Sequence, residues 1–164
     1  MTGYRRIIFF FIAGTLGFFS ALAAGCFFTT MQVQGESMEP AIKQGERVLI
    51  GKMAYFLEAP HIGETVAFPC SVYSEDGEGR ILVKRVAAVE GDEVQIKDGM
   101  FYVNGKVYDQ YTSESVYLEP MEPVIVGKDK VFVLSDNRKA VLDSRDQAVG
   151  QVEVSDLLGK VYFK

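Results

Sequence analysis

Val94-Gln95-Ile96-Lys97-Asp98-Gly99-Met100-Phe101-Tyr102-Val103-Asn104-Gly105-Lys106-Val107-Tyr108 decides the fold class of this chain. Two short runs rich in β-branched and aromatic residues flank Asp98-Gly99, a dipeptide that tolerates the positive backbone angles of a tight hairpin turn. Asn104-Gly105 repeats the signal and turns the chain again. Outward from this hairpin the same grammar recurs. Val48–Ile50, Thr65–Phe68, Ile81–Val89, Val131–Leu134 and Val161–Phe163 are further strand-like runs. Gln44-Gly45-Glu46, Ile62-Gly63-Glu64 and Glu90-Gly91-Asp92 supply turns between them. No stretch beyond Gly35 sustains a capped helical period. The pattern predicts a compact, largely antiparallel β-sheet domain with few helices. Ser71–Arg80 and Tyr108–Pro123, polar or Pro-bearing, read as surface loops.

The N-terminal segment follows different rules. No charged residue occurs from Ile7 to Gly35, and Arg5 and Arg6 precede that stretch. The 25 mostly apolar residues from Ile7 to Met31 would span about 37 Å as a helix, more than a hydrocarbon core of ~30 Å. The reading is a cytoplasmic tail over 1–6, a transmembrane anchor over 7–31 and an extracytoplasmic domain over 32–164. Arg5 and Arg6 put the N-terminus in the cytoplasm by the positive-inside rule. Two processed forms are written in the same residues. Ala21-Leu22-Ala23 has the pattern of a signal-peptide cleavage site, and Ala23-Ala24-Gly25 before Cys26 that of a lipoprotein. Against both, Cys26-Phe27-Phe28 carries the apolar character onward to Met31.

Composition agrees with this division. The chain has 164 residues, 48% apolar and 24% charged, with a mean hydropathy of +0.10. Arg5 and Arg6 are the only charges before Glu36, so 15 of the 17 basic and all 22 acidic residues lie beyond, a net −7. An acidic domain without a basic run or zinc-finger spacing is not a nucleic-acid binder. Its apolar and aromatic content excludes disorder. Cys26 and Cys70 cannot make a disulfide framework. No cluster has metal-ligand spacing, and neither metal nor cofactor is expected.

Three stretches carry chemistry. Gly35-Glu36-Ser37-Met38-Glu39-Pro40 directly follows the apolar run. A nucleophilic serine needs a base. The only histidine, His61, lies in a turn between Pro60 and Ile62, so a Ser-His-Asp triad has no support. Lysine is the alternative. In Val83-Lys84-Arg85-Val86, strand alternation puts Leu82, Lys84 and Val86 on one face and Val83 and Arg85 on the other. A lysine between aliphatic neighbours is desolvated if that face is buried, which favours the neutral amine a base must be. On an edge strand it would simply point to water. Arg85 needs an acidic partner, Asp136 or Asp143. The third stretch, Ser135-Asp136-Asn137-Arg138 through Asp143-Ser144-Arg145, reads as a salt-bridged platform or as a solvated loop.

In this order, directly after an apolar span, the three stretches resemble the type I signal peptidases of bacteria and, more distantly, those of the endoplasmic reticulum. The resemblance runs from the anchor to the C-terminus. It implies a membrane-bound serine endopeptidase with a Ser/Lys dyad, Ser37 as nucleophile and Lys84 as general base. Gly35, Met38 and Pro40 match the nucleophile turn and oxyanion region. Arg85, Asp136, Asn137, Arg138, Asp143, Ser144 and Arg145 match the structural charge cluster. The implied substrates are signal peptides of exported preproteins, cut after small residues. The implied partners are the bilayer and the secretion machinery, and the implied place is the cell membrane. Such a protease keeps its anchor.

Several positions depart from the family pattern. Ser135 stands where Gly is frequent, and Val141 where a serine commonly hydrogen-bonds the lysine. Glu90 and Ala41 replace Pro and Thr. Gly35 provides no hydroxyl for the oxyanion, which leaves backbone donors such as the Ser37 N–H. The alternative reading is an anchored, non-catalytic or specialised relative serving surface-protein or pilus assembly.

Overall fold

The structure, a computed structural model, describes residues 2–72, 80–112 and 116–163. Helix α1 (Thr2–Phe27) opens the chain, and Ile7–Phe27 is long and apolar enough to cross a membrane, with mean hydropathy 2.2. Phe9, Phe10 and Phe11 on it are all exposed. The apolar stretch expected to run as one span to Met31 divides instead. The helix stops at Phe27, and Phe28–Gln32 form strand β1. β-Branched Thr29 and Thr30 suit a strand. The backbone of this segment pairs with β2 (Arg47–Gly51), from Phe28↔Gly51 to Gln32↔Arg47. The Lys52 N–H donates to the Phe27 carbonyl at 2.9 Å, so a sheet residue satisfies a helix-terminal acceptor.

The short helix α2 (Ala54–Leu57) follows, then β3 (Thr65–Cys70), β4 (Arg80–Val89), β5 (Glu93–Lys97) and β6 (Met100–Val103). Strands β7 (Lys106–Val107), β8 (Met121–Ile125), β9 (Lys130–Leu134), β10 (Val152–Glu153) and β11 (Gly159–Tyr162) complete the described elements. They form a seven-stranded sheet, β1-β2-β11-β3-β4-β9-β10, and a four-stranded sheet, β7-β6-β5-β8. Every pairing described is antiparallel, as the sequence pattern predicts. Asp98 and Gly99 turn the β5–β6 hairpin with φ of 53° and 77°, the left-handed angles that their chemistry permits.

Strand β4 lies inside the larger sheet, between β3 and β9, and is buried on both faces from Val83 to Ala88. On one face Ala87, Ala88, Phe132 and Leu134 meet Val94 and Phe101 of the smaller sheet, with the Phe101 and Phe132 rings stacked at 5.5 Å. On the other face Val66, Phe68, Val86 and Val133 form a separate apolar layer. A third cluster seats Met38 and Ile42 against Ile50, Ala67, Val83 and Val161 and anchors the loop after β1. Strands β2 and β11 approach so closely that a Cβ on Gly159 would lie 2.3 Å from the Gly51 carbonyl oxygen.

The expected loop Tyr108–Pro123 is only partly a surface loop. Leu118 is buried in the core, its N–H bonds the Gly99 carbonyl, and β8 begins at Met121. One buried leucine among polar neighbours leaves no period to read. Residues 113–115, and 73–79 of the other expected loop, lie outside the described residues.

Candidate active site

Lys84 belongs to the central strand, not to an edge. Val66 of β3 stands opposite it, and Leu82 and Val86 flank it on the same face. The residue is 2% exposed. Among the described residues its side chain has no hydrogen-bond or ion-pair partner. Among the described residues the buried side-chain polar atoms without a partner are Thr65 Oγ1 and Ser135 Oγ. The Lys84 ammonium is not one of them, so its tip still touches accessible surface. Burial pushes its pKa down to about 8; Asp143 and Asp136 draw it up, and Arg145 pushes it lower.

Arg85, the next residue, points to the other face and is treated oppositely. Its Nε and Nη2 donate to the two oxygens of Asp136 at 2.7 and 2.5 Å, a bidentate pair buried on both sides. Of the two acidic partners expected, Asp136 is the one used. Nη1 donates to the Gly63 carbonyl at 2.7 Å, and the guanidinium lies 4.0 Å from the centre of the Tyr111 ring. Neither contact was readable in the sequence, because Tyr111 sits in a segment without periodicity.

Asp143 pairs with Arg145 instead. The Arg145 Nε and Nη2 reach its oxygens at 2.8 and 2.7 Å, and the Ser135 N–H donates to Oδ2 at 2.9 Å. Arg145 also donates to the Arg138 carbonyl, and Arg138 to the Ser135 carbonyl. Ser144 clasps Val133 from both sides: its N–H donates to the Val133 carbonyl, and its Oγ accepts from the Val133 N–H. The segment from Ser135 to Arg145 is thus a closed knot of charge-assisted bonds at the end of β9.

Ser37 lies half-buried in a turn two residues after Gly35, whose φ of 82° favours glycine. Met38 plugs into the core with no exposed surface and fixes the turn from below. Pro40 follows a cis peptide bond and is exposed. Asn137 ties the turn to the charged knot: its N–H donates to the Ser37 carbonyl at 3.0 Å and its amide to the Glu36 carbonyl at 3.3 Å. The Ser37 N–H has no acceptor among the described residues. No hydrogen bond joins the Ser37 hydroxyl to the Lys84 amine. His61 is exposed in its turn, where its N–H donates to the Glu64 carboxylate. Val141 is 69% exposed.

Comparison with known proteins fits this geometry. The family model described as signal peptidase, peptidase S26, matches residues 4–164, and the chain belongs to that family. Signal peptidase IB of Staphylococcus aureus is 29% identical over 179 residues, covering 98% of this chain and 90% of that protein. Thylakoidal processing peptidase 1 of Arabidopsis thaliana is 34% identical over 142 residues, covering 80% of this chain and 40% of that protein. The chain thus spans about two fifths of the length of this plant relative. A crystal structure of a signal peptidase I from Enterococcus faecalis aligns with TM-score 0.51 at 23% identity, covering 64% of this chain and 98% of that one. That likeness concerns the fold.

Proposed function

We propose that this protein is a membrane-anchored serine endopeptidase that removes signal peptides from exported preproteins. One observation carries the reading. Lys84 is buried without a counter-ion, with its pKa lowered to about 8, on a strand whose neighbour β9 leads into the loop that holds the Ser37 turn. About one tenth of such amines are neutral at pH 7, against fewer than one in a thousand for an exposed lysine.

Neutral Lys84 takes the proton of the Ser37 hydroxyl as Oγ attacks the scissile carbonyl carbon. The carbonyl oxygen gains the negative charge and meets the unengaged Ser37 N–H. Collapse breaks the C–N bond, and the Lys84 ammonium gives its proton to the leaving amine. Water then loses a proton to Lys84 and attacks the acyl carbon, and Ser37 leaves with that proton. The apolar helix Ile7–Phe27 would hold the β-domain at the outer face of the membrane, with residues 1–6 inside, because Arg5 and Arg6 precede it.

The test is cleavage, in detergent micelles, of a preprotein whose signal peptide ends in Ala-X-Ala. Ser37→Ala and Lys84→Ala should both abolish processing, and the wild-type rate should rise with pH to a plateau above about 8. Full activity of either variant would refute the dyad.

A further inference from the structure

Ser135 is the strongest unexplained feature of the molecule. Its hydroxyl is fully buried and has no hydrogen-bond partner. A buried, unsatisfied hydroxyl is costly, and one kept in a native core calls for an explanation. Its backbone is fully engaged: the N–H donates to Asp143 and the carbonyl accepts from Arg138. The side chain is therefore held where the backbone puts it.

Register shows where that is. Strands β4 and β9 pair Val86 with Val133 and Arg85 with Leu134. Strand β9 ends at Leu134, and extending its register by one residue would set Ser135 opposite Lys84. Directly opposed residues of an antiparallel pair share a face, with Cβ atoms about 5 Å apart. The unpartnered hydroxyl thus lies on the same face as the unpartnered ammonium, on the β9 side, while Val66 covers the β3 side. The charged or titratable groups acting on Lys84 are Asp143, Arg145, Asp136 and Cys70. Both carboxylates already hold an arginine.

We propose that Ser135 is a positioning residue for Lys84: its Oγ accepts a hydrogen bond from the Lys84 amine and aims the remaining lone pair at Ser37. The inference rests on the Ser37/Lys84 reading above. A neutral amine has two N–H donors and one lone pair, so donating one N–H to Ser135 restricts where the lone pair points. The acceptor also favours the ammonium over the amine. Removing it should therefore move the acidic limb of the rate profile to lower pH.

The test compares wild type, Ser135→Ala, Ser37→Ala and Lys84→Ala as full chains in detergent, on the same preprotein. Ser135→Ala should lower kcat about tenfold or more with KM within about twofold, and shift the acidic limb of kcat/KM down by roughly half a pH unit. Its Tm should stay close to that of wild type, because the backbone bonds of Ser135 to Asp143 and Arg138 remain. An unchanged kcat, or an unmoved limb with a lowered Tm, overturns the proposal; the latter would mark a structural role. Inactive Ser37→Ala and Lys84→Ala beside a normal Ser135→Ala sink this inference alone. Active Ser37→Ala and Lys84→Ala remove the dyad and this inference with it. If Ser135→Ala does not fold, Ser135→Gly carries the same predictions.

Discussion

Replacing Lys84 with methionine should abolish the proposed preprotein cleavage and make the protein more stable. The pKa of about 8 against an ordinary 10.5 corresponds to about 3 kcal/mol that the fold spends at neutral pH to keep a protonated amine among Val66, Leu82 and Val86. At 2% exposure the side chain has little solvent to screen that cost. Methionine has nearly the same length and no charge, so Lys84→Met removes the penalty while leaving little cavity. Neither acidic neighbour is orphaned, because Asp136 holds Arg85 and Asp143 holds Arg145. At pH 7 the gain should approach about 3 kcal/mol, or roughly 6–12 °C in Tm for a domain of this size.

The pH dependence gives the sharper check. Below pH 8 the lysine is protonated in both folded and unfolded chains, and the penalty is complete. Between 8 and 10.5 the unfolded chain binds more protons, so wild-type stability rises with pH relative to the variant. At pH 10.5 the difference should shrink to under about 1 kcal/mol. Paired thermal melts in detergent at pH 7 and 10.5 measure both points. A variant that melts at or below wild type at pH 7, or keeps the same advantage at pH 10.5, refutes the desolvation account.

Other perturbations probe the scaffold. Asp136→Asn leaves Arg85 buried against a neutral amide and should lower stability by about 3–5 kcal/mol, read as a large drop in Tm. Gly159→Ala drives a methyl to within 2.3 Å of the Gly51 carbonyl oxygen and should separate β11 from β2. A loss of at least about 1–3 kcal/mol in denaturant titrations checks it. Asn137→Ala removes the 3.3 Å bond to the Glu36 carbonyl but keeps the backbone bond to Ser37. Its stability should change by under about 1.5 kcal/mol. Processing of the preprotein should nevertheless slow about tenfold or more, because the Ser37 turn loses one of its two hydrogen bonds to Asn137.

The larger part of the fold was legible because its strands alternate or carry β-branched runs between Gly-containing turns. The hairpin at Asp98-Gly99 needed nothing beyond its own residues. Strand β8 was not legible, since Glu122 and Pro123 interrupt it and it is mostly exposed. Strand β1 was hidden for the opposite reason: its apolar start continues the helix without a break, and only pairing with β2 ends the helix at Phe27. At the site, residue types and order pointed to Ser37, Lys84 and the charged knot. The burial of Lys84 was not readable locally. It depends on β3 and β9, which come from far along the chain and turn a strand of uncertain position into a central one.

Two buried cations stand side by side on β4, and their different fates are set by what their neighbours leave free. Arg85 receives both oxygens of Asp136 and stays a charged structural group. The carboxylate that draws most strongly on the charge of Lys84 is Asp143, and both its oxygens are taken up by Arg145, with the Ser135 N–H added. Arg145 therefore helps hold the Lys84 pKa down in two ways, by occupying Asp143 and by its own positive charge. Arg145→Gln should release Asp143 to act on Lys84 and remove the opposing charge, which raises the lysine pKa. The acidic limb of preprotein processing should move to higher pH by about one unit, so that the rate at pH 7 falls about tenfold while the plateau at high pH is largely recovered. A variant that merely loosened the fold would lower the plateau and leave the limb in place. An unmoved limb, or one displaced to lower pH, would show that Arg145 does not govern the base.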